Sequence, residues 1–514
     1  MTQSPARLLR VNNAICRVNR KAVLEVADFA IHAGEHWCLF GANGSGKSQL
    51  ANLLIGQRRE SGSTIQYGDD ANSVDFNPAR DCLVVSFEEQ QKLWEKDNRL
   101  DMSEYDPRVE DKGTLVSDLI SSARPSASSD QELLATLVEK LQLTELLEKG
   151  IRFLSSGQVR KVLIARALYG ATVGTPKLIV LDDPVETVDR MARESIAATI
   201  TEFQQSEVTG KRFATLLLCR RRRDILQGVT HLALLDRLRL VEQGARDEVM
   251  QSDGFARLAN PTVCLPDTVP ASKRAAAASE PDQPLIELRA VSASYGDLAV
   301  FTDLSWSMGD SDHVLIEGPN GCGKSTLLSL IDGENHKAYG QEVILFGRRK
   351  GSGESIWDVK ANFGVVSNEL HNKYIKGWKV LDVVVSGFYD SVGLYDDSGS
   401  AEQDQARAWL STLGIPELEK AYYHELSFGQ QRLVLLARAM VKEPRILILD
   451  EPCVGLDDYH RKFILGTLDT ITRQTHTRLI YVSHVADERP ACINYRLQFV
   501  PKPGGGFSVE QGAL

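Results

Sequence analysis

One eight-residue pattern constrains this chain more than any other feature, and it occurs twice. Gly41, Ala42, Asn43, Gly44, Ser45, Gly46, Lys47 and Ser48 read GxxxxGK[ST], as do Gly318, Pro319, Asn320, Gly321, Cys322, Gly323, Lys324 and Ser325. At average composition one such match arises by accident in about one chain in fifty of this length, so chance explains two poorly. Glycines let successive backbone amides turn toward a phosphate, and a helix starting at the loop's end presents its positive pole to the anion. Lys47 and Lys324 then reach the β and γ phosphates, while Ser48 and Ser325 offer hydroxyls to the bridging Mg2+. The flanks agree: apolar runs at His36–Phe40 and His313–Ile316 predict strands, and Leu50–Ile55 and Leu327–Ile331 predict helices. Thr326 follows the second loop in the same helix. Two ATP sites are expected, each with Mg2+.

At 514 residues the chain exceeds the ~250–300 residues at which single cores stop growing, and two similar halves fit that length. The expected division is a first domain over 1–250, a linker over 251–284 rich in proline and alanine, and a second domain over 285–514. Apolar runs at Leu178–Leu181 and Ile446–Leu449 predict further buried strands. Helical patterning at Gln131–Leu147 and Gln403–Leu413 predicts a helical subdomain inserted in each core. The fold class is therefore α/β, with parallel or mixed sheets. No apolar stretch approaches the ~18 residues a membrane span needs, and strand-like sequence follows the N-terminus directly, so a cytoplasmic location is expected. Eight scattered cysteines carry no zinc spacing, which fits reduced thiols. A net charge of −10 argues against broad binding to nucleic acid.

Leu154, Ser155, Ser156, Gly157, Gln158 and Leu426, Ser427, Phe428, Gly429, Gln430 each precede helical sequence and then a strand ending in Asp182, Asp183, Pro184 or Asp450, Glu451, Pro452. In that order, twice over, these motifs resemble the ATP-binding cassette family. The resemblance implies two domains packed head to tail, each ATP sandwiched between one half's phosphate loop and the other half's signature. One composite site would then combine Lys324, Ser325 and Asp450 with Ser155, Ser156, Gly157 and Gln158. Glu451 would orient or deprotonate the attacking water, His484 would lie near the γ phosphate, and Tyr295 would stack on adenine. The other would combine Lys47, Ser48 and Asp182 with Ser427, Gly429 and Gln430. It departs from the family at three positions: Asp183 stands for the glutamate, Arg220 for the histidine and Val18 for the aromatic. A carboxylate shorter by one methylene sits about 1.5 Å back, a misplacement worth on the order of a hundredfold in rate. Hydrolysis is therefore expected at the second half's site and longer nucleotide retention at the first.

Asp189 and Asp457 match the family's inter-site aspartates and are equally suited to cap helices. The glutamine that usually couples nucleotide to a driven partner has no clear counterpart; Asn368 stands there in the second half, with Glu88 or Gln90 nearby in the first. The run Arg220–Arg223 reads as a solvated turn beside the altered site, from which Arg220 alone reaches phosphate. Cys322 reads as a small residue tolerated in the loop. Glycine-rich Leu345–Asp358 reads as a hairpin and, with Leu426–Gln431, Ile446–Asp457 and Ser483–Cys492, resembles tandem cassette proteins of the ModF or PhrA type, named for molybdate transport and photorepair. The implied function is the ATPase subunit of a transporter whose membrane permease subunits are separate chains. The rivals are a soluble cassette acting on ribosomes, weakened by the short proline-rich linker, or on DNA, weakened by the acidic charge and the absence of zinc-binding cysteines, and a regulatory nucleotide switch.

Overall fold

The apolar runs expected as strands form the centre of each half. In the computed structural model all residues are described except 1–5, 18–22, 58–63, 70–74, 100–112, 125–129, 173–176, 187, 207–212, 272–282, 296–297, 333–339, 375–376, 395–397, 484–487 and 503–505. The chain divides into two units, Met1–Pro261 and Thr262–Leu514. In the first, β1 (Arg7–Arg17), β2 (Val23–His32), β3 (His36–Phe40), β4 (Thr64–Tyr67), β5 (Cys82–Val85), β6 (Lys177–Asp182), β7 (Phe213–Cys219), β8 (His231–Asp236) and β9 (Arg239–Ala245) form one sheet in the order β4-β1-β2-β9-β8-β3-β7-β6-β5. The segment β8-β3-β7-β6-β5 is parallel, and β1 pairs antiparallel with β2 and β4.

Strand periodicity explains the unbroken apolar runs. Leu178 and Val180 of β6 pack on one face with β1, β2 and the helix Lys47–Leu54, whereas Ile179 and Leu181 pack on the other with the inserted helices. Both faces are covered, so no interior position of the strand is left to polar residues. The inserted helices lie between β5 and β6 and end with Ser156–Ala171, the helix that carries the signature. The helix expected over Gln131–Leu147 stops at Lys140, because Gln142 adopts a left-handed φ of 56° before a single 3-10 turn at Thr144–Leu146.

In the second unit, β10 (Ile286–Tyr295), β11 (Leu298–Met308), β13 (Glu342–Leu345) and β14 (Arg348–Arg349) form an antiparallel sheet, and β12 (Val314–Glu317), β15 (Phe363–Val366), β16 (Ile446–Asp450), β17 (Arg478–Val482), β18 (Tyr495–Pro501) and β19 (Phe507–Ala513) form another in the order β15-β16-β17-β12-β18-β19. Its first five strands are parallel. Between β13 and β14, Phe346 and Gly347 have φ of 50° and 79°, the two left-handed residues that a tight hairpin turn requires. Helices Val380–Val385, Ser400–Thr412 and Phe428–Met440 are inserted between β15 and β16.

The segment expected as linker is in part structured. Asp253–Ala259 is a helix of the first unit, with Phe255 and Ala259 buried in its core. Val263 and Val269 pack on the second unit, where the Gln474 side chain holds the Asp267 carbonyl and the Val269 amide at 2.7 and 2.9 Å. The alanine run 275–278 lies outside the described residues. Among the described residues no helix is long and apolar enough to cross a membrane.

Candidate functional site

Three functional loops of the first unit leave the same end of adjacent parallel strands. The phosphate loop follows β3, Arg220 follows β7 and Asp183 follows β6, and these strands neighbour one another in that order. Ligand sites in open α/β sheets lie at this carboxyl edge. Gly44 and Gly46 take φ of 76° and 103°, conformations that cost a side chain dearly, and a Cβ at Gly41 would press on the Leu235 carbonyl oxygen and on Ser45 Oγ. Buried Lys47 donates from Nζ to the carbonyls of Gly41 and Ala42 at 2.8 and 2.9 Å, bracing the loop in the shape of an anion cradle. The second unit repeats this arrangement: Gly321 and Gly323 have φ of 79° and 103°, and Lys324 Nζ reaches the Gly318 and Pro319 carbonyls at 2.9 and 3.0 Å. Asn43 and Asn320 lie within the two loops, and Ser48, Ser325 and Thr326 lie in the first turn of the helices Lys47–Leu54 and Lys324–Asp332. Cys322 is fully buried and burial pushes its thiol up, consistent with a packing residue.

Asp182 and Asp450 end β6 and β16, and both carboxyls are pushed up, Asp450 to about 6. Burial is the main cause, then the neighbouring Asp183 or Glu451; Lys47 or Lys324 opposes the shift. In the second unit Asp450 and Ser325 line one cavity, and a desolvated carboxylate with a helix-borne hydroxyl suits a small divalent cation, so these donors fit Mg2+. The next residue is constrained in both units. Asp183 has φ of 44° and Glu451 has φ of 50°, left-handed conformations that cost on the order of 1–3 kcal/mol in non-glycine residues. Their amides bond to the Leu218 and Val482 carbonyls of the neighbouring strands at 3.3 and 3.1 Å, which fixes the turn that aims each side chain.

The two units differ in what surrounds that carboxylate. In the first, Arg220 Nε lies 2.9 Å from Asp183 Oδ2, and its Nη2 lies 2.7 Å from Glu186 Oε2. Arg221 is buried, while Arg193 and Arg223 face Asp224. The run is thus a solvated turn only at Arg222 and Arg223, which are exposed; Arg220 and Arg221 are drawn in because β7 delivers them to the edge where Asp183, Glu186 and Asp224 gather. Sequence reading missed Glu186, whose signal was a second acid three residues after Asp183. His484 and Val18 lie outside the described residues, and Tyr295 ends β10 with its side chain likewise outside the description.

Each signature forms a helix start. Ser155 and Gln158 form a reciprocal capping box, as do Ser427 and Gln430, so these serines and glutamines satisfy end amides of the helices Ser156–Ala171 and Phe428–Met440. Gly157 and Gly429 are each the second residue of their helix, the first facing Val188 and the second facing the His460 ring. Asp189 and Asp457 cap the helices Arg190–Gln205 and Asp458–Gln474. In the first unit, fully buried Gln90 donates to Ser156 Oγ at 3.0 Å, tying the coupling segment to the signature of its own half. In the second, buried Arg432 of the signature helix bonds the Ser367 carbonyl at 3.3 Å and the Asn368 side chain. Its counterpart Arg160 instead bonds the Asp182 carbonyl at 3.1 Å. Both arginines escaped sequence reading, since a buried guanidinium has no mark in the motif.

Phosphate loop, acidic strand end, following carboxylate and capped signature helix, present once in each unit, define a duplicated P-loop ATPase. The family model described as "ABC transporter" matches residues 24–186 and 301–454, more than half of the chain, and the chain belongs to that family. It is a tandem ABC ATPase of the ModF type: it is 35% identical over 506 residues to the ABC transporter ATP-binding protein ModF of Escherichia coli, covering 96% of this chain and 97% of that one. An uncharacterized ABC transporter ATP-binding protein of Schizosaccharomyces pombe is 24% identical over 479 residues, covering 91% and 93% of the two chains. Among solved structures, the archaeal ribosome recycling factor aABCE1, in complex with the stalk protein aP1, superposes with a TM-score of 0.56 over 97% of this chain and 89% of that one. At 16% identity that likeness shows the fold alone.

Proposed function

We propose that this ATPase energises a membrane transporter whose permease subunits are separate chains, and that its two halves close on two unequal ATP sites. The full-length likeness to an ABC transporter ATP-binding protein carries this reading, since it spans both cassettes and the segment joining them. In this scheme Lys324, Ser325, Asp450 and Glu451, with His484 and the signature Ser155–Gln158, form the hydrolytic site; Tyr295 stacks on its adenine. Ser325 and Asp450, and in the other site Ser48 and Asp182, would hold Mg2+, which when bound would supply charge neutralisation at the phosphates. Glu451 accepts a proton from the attacking water, and its constrained backbone turn presets the direction of the carboxylate. Lys47, Ser48 and Asp182, with Ser427, Gly429 and Gln430, hold the second nucleotide beside Asp183. Molybdate, by resemblance to the ModF type, is the solute to try first, and a cytoplasmic position at the inner membrane face follows from the permease partnership.

Glu451→Gln protein trapped with ATP should retain an integral membrane protein on affinity purification from membranes. Recovery of ribosomes or DNA in its place would overturn the transporter reading. The altered coupling residues Gln90 and Asn368 are the observation favouring a regulatory switch, and on that reading the trapped protein retains no permease.

A further inference from the structure

We infer that Arg220 and Glu186 form a lock on Asp183, so that the first site holds nucleotide while an ion triad, beyond the shortened side chain, blocks hydrolysis there. This rests on the unequal-site reading above and names its cause. Both Nε and Nη2 of Arg220 reach the same Asp183 oxygen, so the atom that would accept a proton from water is already engaged twice. Glu186 takes Nη2 from the other side at 2.7 Å and keeps the guanidinium from turning away. The side chains of Arg220 and Asp183 are only 15% and 9% exposed, so solvent screens the pair weakly. In the blocked step the water oxygen would bond to the γ phosphorus, its proton would pass to Asp183, and the β–γ bridging bond would break with its electrons leaving on ADP. Asp183 Oδ2, engaged twice by Arg220, is a weakened acceptor for that first proton.

Both arms of the lock belong to the first unit. Asp182 pairs in register with Leu218, and Asp450 with Val482, so Arg220 and His484 are counterparts in sequence, each two residues after the paired strand residue. Glu186, three residues after Asp183, corresponds to Val454, three after Glu451. The first site thus sets an arginine and a second carboxylate around its acid, where the second half's sequence has a histidine and a valine.

The test transplants the second set in a Glu451→Gln background, which silences the other site. Single-turnover hydrolysis, binding of a fluorescent ATP analogue and melting temperature are compared for the background, for added Asp183→Glu, and for added Asp183→Glu, Glu186→Val and Arg220→His. The triple set is expected to hydrolyse about tenfold or more faster than the background, and Asp183→Glu alone to stay within about threefold of it. Equal rates for the single and triple sets, or a triple set that binds the analogue yet stays at background, would overturn the lock. Should the triple set fail to melt cooperatively, Glu186→Gln replaces it, with hydrolysis expected to rise about threefold and no rise overturning the inference. Analogue binding unaffected by Lys47→Ala in the same background would instead overturn the two-site reading itself.

Discussion

The strand that feeds the first phosphate loop is predicted to lose stability as pH falls. His36 opens β3 and is 2% exposed, with Nε2 3.1 Å from the Gln204 carbonyl and Nδ1 3.2 Å from Thr215 Oγ1. The carbonyl requires a proton on Nε2, so the neutral ring donates there and accepts from the threonine hydroxyl. Burial pulls its pKa down from 6.5 to about 4; the Gln204 carbonyl opposes that shift, and His231 adds to it. The sign follows from linkage: above pH 6.5 neither state binds the proton, between 6.5 and about 4 the unfolded chain binds it and the folded unit does not, so stability falls as pH falls through that window. With 1.36 kcal/mol for each pH unit of separation, the loss is about 2 kcal/mol at pH 5 and about 3 kcal/mol at pH 4. Hydrogen exchange of peptides covering β3, corrected for intrinsic rates, should show protection lost by that amount between pH 7.5 and pH 5. His36→Gln should start lower, by about 1–2 kcal/mol for an imperfectly filled hydrogen-bond site, but lose less on acidification. Equal losses in the two proteins would refute the assignment of this window to His36.

Glu451→Asp should lower steady-state hydrolysis on the order of a hundredfold while leaving nucleotide affinity unchanged, and a near-normal rate would show that side-chain reach at this position does not matter. Lys47→Ala and Lys324→Ala should each remove one of two equivalents of bound ATP analogue in equilibrium titration; loss of both with either change would mean that the sites are not separable. The signature glycines should differ. An added methyl at Gly157 meets only Val188 Cγ1 at 3.3 Å and should cost under about 1 kcal/mol, whereas at Gly429 it runs into the His460 ring and should cost about 1–3 kcal/mol, read as a lower melting temperature with lower ATPase activity.

Much of the site was legible before folding because its motifs are contiguous. A phosphate loop works through the backbone of neighbouring residues, so eight positions announce it, and a capped helix start such as Ser155–Gln158 or Ser427–Gln430 is written in four. The strands at Lys177–Asp182 and Ile446–Asp450 were legible because coverage on both faces makes every interior position apolar. Residues that act across the sheet were not. Arg160 and Arg432 carry no periodicity or spacing that marks them as buried, nor Glu186 any that marks it as a partner of Arg220, and the run Arg220–Arg223 suggested uniform exposure because composition reports charge without reporting what lies beside it.

The order of amino acids alone determined the duplicated loops, their flanking strand and helix, and the inequality between Glu451 and Asp183, since each depends on chemistry within a few bonds of its own backbone. Tertiary structure decided what those groups face: that β7 sets Arg220 against Asp183 and Glu186, that Gln90 meets the Ser156 hydroxyl, and that equivalent arginines Arg160 and Arg432 find different partners. Strand register brings together residues dozens of positions apart, and an ion pair or hydrogen bond depends on a separation of a few ångströms that no local pattern encodes.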